Sequence, residues 1–545
     1  MKKLTLTVNA EISQVGAILD FFEDSLKKLK INSRYYNESM LIFEESIVRL
    51  IGNADPGSKI DISVYKRWNI ANVEASVPGT AIESFTDQAA GLGFVDESNT
   101  SEVAIRDTLL QAFEEKLQYS RKGKYNCIKV TVGSKDTVFL KAVICAIAAG
   151  LLLGIILRTA MPTEISAIFN EKVLKGFVNI YIGILTPLTT PALFLSVVCS
   201  IAKIRSFYDS GKICIKSFQS YAMTTIFSVV SAILIFLAIM PGEIGVMKST
   251  AGANTGAATA TGTTGENFIE DSWSIILGQF QDMNTLAVLA IAVVLGIALS
   301  MVGKYSSMLR DIINAMAALL NKALELLLAI LPAAAFLSTM AIVIDSTDAY
   351  MLSVLEMIGV LILGMLAILL MYAVVLAISG RTRPIPFFSK LFKNIKGGFL
   401  YDSKFNLMNR TMRCCKRNFG IKPELYNFTI PFGSSFNMDG LTSYLTIAGL
   451  FLLRMTGNSL PLGRILPLAI MVIVFSLAAS LTPASEVTCL VALCGWMNIP
   501  AASLGMLLGL AGVIGIVLKV MNTCGDMVVT YSIARKEKLL DEYDN

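Results

Sequence analysis

FTIPFGSSFNMDGLTSY, residues 428–444, is the stretch whose reading decides the fold. It lies in an apolar segment, 424–454, long enough to cross a bilayer, which takes about 20 residues as a helix. Asn437-Met438-Asp439-Gly440 interrupts that segment. A carboxylate at membrane depth is costly and usually lines an ion or substrate path. A glycine beside it lets the helix unwind and free carbonyl oxygens. Carboxylate, amide and carbonyl oxygens together are what a hard cation takes as ligands. A second interruption, Asn522-Thr523-Cys524-Gly525-Asp526, repeats the pattern inside 501–533. The bland reading of either motif is a buried hydrogen-bond network that only fixes helix packing. Two broken helices in corresponding places point instead to a transporter site near the membrane midplane.

Working outward, apolar segments lie near 138–158, 174–202, 215–240, 273–302, 306–345 and 350–379, giving eight expected spans with the two broken ones. The Gly/Thr/Ala-rich stretch within 241–270 reads as an exposed linker. Two further regions fit a simple span badly. Residues 384–419 carry many Lys and Arg against the single acid Asp402, and 461–498 are broken at Thr482-Pro483-Ala484-Ser485-Glu486. Each is read as a re-entrant helical hairpin, which survives only where protein or a water-filled cavity surrounds it. The basic run places the first hairpin's entry on the cytoplasmic face.

Composition divides the chain. Of its 87 charged residues, 36 fall in residues 1–136 and 51 in the remaining 409. The first segment therefore reads as a soluble domain, 1–136, and the rest, 137–545, as a membrane domain. Within 1–136, strands are expected at Lys3–Val8, 59–66, 68–76 and 125–132, and helices at 11–30, 34–53 and 102–119, an α/β layer arrangement. The opening residues read as a strand and not as a signal peptide, so this domain is expected in the cytoplasm and the protein in the cell membrane. The net charge of +5 and the lack of a basic stretch interleaved with aromatics exclude nucleic acid as an expected partner. There is no histidine, and the nine cysteines show no metal or CxxC spacing, so reduced thiols are expected.

At 428–444 the chain resembles the seventh span of the dicarboxylate/amino acid:cation symporter family, the glutamate transporter fold. The resemblance covers roughly 137–533 and includes the TMR of Thr411–Arg413, the PASEV turn of 483–487 and the NTCGD of 522–526. It implies three sodium sites. Asp526, Asn522 and the carbonyls of Gly433 and Asn437 match one. Thr224, Thr225, Asn437 and Asp439 match a deeper one. Ser435, with backbone near 476–479, matches a third. It also implies a homotrimer in the bilayer, and no enzymatic activity.

The implied substrate site departs from the family pattern. The tip of the first hairpin, normally serine-rich, is here 403–410, with Ser403 and Asn406 as candidate contacts. The positions of the amino-group aspartate and the carboxylate-binding arginine hold Gly515 and Leu518, followed by Lys519. Leu441 follows the NMDG motif in place of threonine, while Asn522 matches the residue that binds the substrate carboxylate. Lys519 lies one turn before Asn522, on the same helix face. It meets an organic anion, pairs with Glu486 or faces solvent, and these readings stay open.

Residues 35–54 and 110–132 resemble, respectively, the first and last conserved blocks of the GHKL ATPase fold, closest to the anti-sigma-factor serine kinases. The magnesium-holding Asn position is Arg49, the adenine-reading block has become Ala75-Ser76-Val77-Pro78-Gly79, and Glu44 or Glu45 remains as a base. The expectation is a degenerate regulatory domain that meets a cytoplasmic protein and does not bind ATP. The sequence thus favours a cation-coupled, sodium-driven symporter for a small organic anion such as a dicarboxylate or amino acid. The second reading is a membrane sensor signalling through 1–136 with little flux, and the third a membrane-anchored kinase.

Overall fold

The computed structural model describes residues 3–31, 36–67, 70–80, 82, 117–132, 135–208, 212–240, 285–302, 306–345, 348–401, 404–455, 462–479, 482–497, 499 and 504–541. The expected linker at 241–270 lies outside them. The chain divides into two compact units: Met1–Val138 with Tyr401–Asn406, and Phe139–Leu400 with Leu407–Asn545.

In the first unit, β1 (Lys3–Asn9), β2 (Lys59–Arg67), β3 (Ile70–Pro78), β4 (Leu117–Lys122) and β5 (Tyr125–Val132) form one antiparallel sheet, ordered β1-β2-β3-β5-β4. Side chains of β3 alternate strictly between half-buried and buried, the period-2 signature of a sheet with one face on a core. That core takes Ile62, Val64, Val73, Ala75, Ile128 and Val130 from the strands. The helices α1 (Val15–Lys28) and α2 (Tyr36–Gly52) add Ile18, Phe22, Leu26, Phe43 and Ile47. Phe22 and Phe43, one from each helix, pack with ring centroids 4.6 Å apart and planes tilted by 48°. The sequence placed a helix over 102–119, but Leu117–Tyr119 belong to β4. Tyr119 pairs across the strands with Ile128, and that cross-strand contact prevails over local helix propensity. The rest of that expected helix lies outside the described residues. Arg49 forms an i,i+4 ion pair with Glu45, Nε to Oε1 3.4 Å, while Glu44 is exposed.

The second unit is helical. Its helices are α3 (Lys135–Ala160), α4 (Thr163–Phe169), α5 (Lys175–Tyr208), α6 (Lys212–Ile239), α7 (Thr285–Met301), α8 (Ser306–Leu328), α9 (Leu331–Asp345) and α10 (Asp348–Ile378). They continue as α11 (Pro384–Tyr401), α12 (Lys404–Phe419), α13 (Pro423–Phe436), α14 (Asp439–Met455), α15 (Leu462–Ala479), α16 (Ser485–Trp496) and α17 (Gly505–Lys536). Among the described residues, five helices are long and apolar enough to cross a membrane, six if α8 and α9 count as one bent span. Those two meet at 48°. Pro332, at the start of α9, lacks the N–H that would continue α8 and crowds the carbonyl four residues back. Large apolar side chains point outward, among them Leu152, Ile180, Leu234, Leu319 and Leu370. On a water-facing surface that outward array would be costly; against lipid it is not. By contrast, every residue of α14 is buried. It is the inner helix of the unit, and the site is built around its first turn.

Candidate functional site

The break between α13 and α14 is sharp. Asn437 leaves the helical region with φ −100° and ψ 82°, and its N–H donates to Gly433 O at 2.6 Å. Asp439 then opens α14, where the exposed N–H groups of a helix start favour negative charge. The break aims two side chains into the protein interior.

The Asp439 carboxylate is fully buried. Its Oδ1 accepts from Thr225 Oγ1 at 2.9 Å and its Oδ2 from Tyr372 OH at 2.7 Å. Both donors are neutral. Thr224 Oγ1 donates to Asn437 Oδ1 at 3.1 Å, and Ser228 Oγ donates to Asp439 O at 2.6 Å. Helix α6 thus presents Tyr221, Thr224, Thr225 and Ser228 at i, i+3, i+4 and i+7, one polar stripe on an apolar helix. Tyr221 OH donates to Thr429 O at 3.0 Å, fixing α6 against α13.

Asp526 comes from α17 to the other side of Asn437. Asn437 Nδ2 donates to Asp526 Oδ1 at 3.2 Å. The carboxylate and the Tyr221 hydroxyl occupy the space a Cβ on Gly433 would take. Gly525 makes an equal approach: its missing Cβ would run into Tyr372 OH and Asn437 Nδ2. Both glycines are required by close packing against polar groups.

The sequence-derived residues therefore fall into groups. Thr224, Thr225, Asn437 and Asp439 converge on one spot. Gly433, Asn437 and Asp526 converge on a second. Asn522, one turn before Asp526, is engaged elsewhere: its Oδ1 accepts from Gly440 N at 3.0 Å and its Nδ2 meets Met438 Sδ at 3.0 Å. Ser435 Oγ donates back to Pro431 O in its own helix at 3.1 Å. Leu441 is buried on α14. Glu486, in the first turn of α16, lies against Gly515 of α17, and Lys519 is half-buried one turn further on. Ser403 lies outside the described residues, as does the side chain of Asn406. Tyr372, Tyr221 and Ser228 escaped the sequence reading. The signal for two of them was present, because they complete the helical spacing of Thr224 and Thr225.

Among the described residues no three His, Cys, Asp or Glu side chains gather as a metal cluster. At the first spot the donor set is one carboxylate with hydroxyl and amide oxygens; at the second, Asp526 faces the Asn437 amide Nδ2. The first set fits a hard monovalent cation: it is all oxygen, and one negative charge balances one positive charge. A carboxylate buried among neutral donors, as Asp439 is, favours a cation or a proton joining it.

Apolar outward faces, broken helices and buried carboxylates define a multi-pass helical membrane protein of the transporter kind. Residues 139–536 match the sodium:dicarboxylate symporter family, and the chain belongs to that family. Its relatives include the C4-dicarboxylate transport proteins of Stenotrophomonas maltophilia (strain R551-3), 25% identical over 417 residues, and of Rhizobium leguminosarum bv. trifolii (strain WSM2304), 28% identical over 421 residues. Each alignment covers 73% of this chain and 88% and 89% of the respective relatives. The family is one of transporters, not enzymes.

Proposed function

We infer that the protein is a sodium-coupled secondary symporter for a small organic anion, with dicarboxylates as the reference class named by its relatives. The observation that carries this reading is the convergence of α6, α10, α13, α14 and α17 on two buried carboxylates, Asp439 and Asp526, through neutral hydroxyl and amide groups. In this reading sodium is cargo. One ion is held by Thr224, Thr225, Asn437 and Asp439, and another by Asp526 with the backbone at Gly433 and Asn437. Ser435 contributes to a third. Asn437 touches both carboxylate clusters, so filling one reorients the amide that the other needs. This is a physical route to coupled occupancy.

The break that exposes Asp439 also frees Gly440 N, which Asn522 holds. Cation binding is thereby mechanically joined to the substrate face of α17, where Asn522 and Lys519 meet the anion's carboxylate. The pairs α11–α12 and α15–α16 act as the two re-entrant hairpins and complete an eight-span arrangement, with α15–α16 closing over substrate. The protein works as a trimer in the cell membrane. Residues 1–136 form a cytoplasmic regulatory domain of degenerate GHKL type that binds a protein partner and not ATP. Membership of a transporter family favours transport over the sensor reading. In proteoliposomes, radiolabelled dicarboxylates should accumulate under an inward sodium gradient and not under an equal potassium gradient. Equal uptake under both gradients would remove the sodium reading.

A further inference from the structure

Helix α10 is long and apolar enough to cross a membrane, and its crossing stretch ends at Ile378. Leu363, Leu366, Leu370, Val374 and Ile378 follow one another at three- and four-residue steps and are all exposed. They form one face of the helix, turned outward to lipid along its length. Just past its end stand Arg381 and Arg383; both are exposed, and neither has an ion-pair partner among the described residues. Ile385, in the first turn of α11, is 83% exposed, so the apolar surface resumes beyond the two arginines. An apolar stripe that runs into charged groups flanked by a further apolar side chain marks the depth of the lipid headgroups. Arg381 is held at φ 46°, a left-handed conformation that is strained for an L residue and free for glycine. Thr382 N–H donates to Leu376 O at 3.2 Å, and Thr382 Oγ1 lies 3.0 Å from Tyr531 OH of α17. The turn that presents Arg381 is thereby pinned to the end of a second span. That span, α17, finishes on exposed Arg535 and Lys536, and Lys216, near the start of α6, pairs with Glu537 just beyond it. Three spans therefore end together, and their cations gather there. The opposite ends of the same helices, 232–240, 348–357 and 505–512, hold no Lys or Arg.

We propose that Arg381 and Arg383 form a binding site for an anionic phospholipid, with the guanidinium groups on its phosphate and Ile385 against its acyl chains. Guanidinium is a planar fork of donors that grips phosphate oxygens in pairs. Charge complementarity selects the ligand: two cations without acid partners stand at headgroup depth, where an anionic headgroup neutralises them. The apolar stripe of α10 on one side and Ile385 on the other require that the anion carry acyl chains. A concentration of Lys and Arg at one end of several spans places that end on the cytoplasmic side. Anionic lipids lie in that leaflet, and each basic residue near its surface adds to the attraction. Glycine at 381 would fit the turn without strain, so the arginine stands there at a cost to the backbone, as residues at binding sites do.

The full-length protein in detergent is titrated with dimyristoyl phosphatidylglycerol and, separately, with dimyristoyl phosphatidylcholine, which share acyl chains and differ in headgroup charge. Retained lipid is read by native mass spectrometry. The native chain should hold phosphatidylglycerol at least about tenfold more tightly. Arg381→Gln and Arg383→Gln together should remove most of that preference. Arg381→Gly separates binding from folding: its preference should fall while its melting temperature in phosphatidylcholine stays level or rises, because the turn is relieved. An arginine with a structural role alone would lower the melting temperature when replaced and leave the lipid ratio unmoved. A native ratio near one, or a ratio unchanged in both variants, overturns the proposal. So does displacement of phosphatidylglycerol by glycerol phosphate at equal concentration, which would make this a site for soluble anions. A lower assembly mass of the double variant in lipid-free detergent overturns it too, since this face would then be a contact between copies. Binding is read and not uptake, so each of these outcomes leaves the transport reading intact.

Discussion

Adding one methyl group at Gly525 should disable the proposed cation site without touching a single charged atom. An alanine Cβ there would lie 2.5 Å from Asn437 Nδ2 and closer still to Tyr372 OH. Neither neighbour is a free chain end. Tyr372 OH donates to Asp439 Oδ2 at 2.7 Å, and Asn437 Nδ2 donates to Asp526 Oδ1 at 3.2 Å. Relieving the clash means surrendering one or both of these bonds. A hydrogen bond to a charged group contributes about 1.5–3 kcal/mol. Losing both therefore costs about 3–6 kcal/mol in this dry interior, less whatever helix stability alanine adds over glycine, roughly 1 kcal/mol. The assay is thermal unfolding of purified native and Gly525→Ala protein, with and without sodium. The native protein should gain melting temperature with sodium, as any ligand that binds only the folded state provides. The variant should start lower and gain little. An unchanged melting temperature together with an undiminished sodium response would show that Tyr372 and Asn437 are not packed against α17 as described.

Tyr372→Phe removes one neutral donor to Asp439 while keeping the ring; stability should fall by about 1–3 kcal/mol, and a denaturant midpoint equal to the native one would contradict the bond. In the first unit, Phe43→Ala opens a cavity beneath the ring of Phe22 and should cost about 3–5 kcal/mol, read as loss of that unit's protection in hydrogen exchange while α14 keeps its own. On the proposed reading of residues 1–136, magnesium-ATP titrated against the whole protein should give no saturable heat, since Arg49, paired with Glu45, stands where the GHKL resemblance expects a metal-holding amide; micromolar binding would reinstate a nucleotide function.

The parts of this site legible in the sequence were those marked by rarity. Asp439 and Asp526 stand out because carboxylates inside apolar segments are few, and the glycines beside them announce a broken or closely approached backbone. The family motif then attached Thr224 and Thr225. Tyr372 stayed hidden because a lone tyrosine in an apolar helix is ordinary. Only the fold brings α10 against the first turn of α14. Glu486 was visible, but its lodging against Gly515 was not, because that contact joins two elements about 30 residues apart. In the first unit, β4 was missed at Leu117 for the same reason: the local pattern was helical, and only pairing with β5 makes it a strand.

The central claim is that Asp439 and Asp526 hold the driving cations. Its most direct test is sodium binding by isothermal calorimetry to the native protein and to Asp439→Asn and Asp526→Asn, each keeping shape while losing charge. An ion pair at about 4 Å in an effective dielectric near 20 contributes about 4 kcal/mol, so each variant should bind sodium at least a hundredfold more weakly at its own site. Native sodium affinity retained in both would contradict the account.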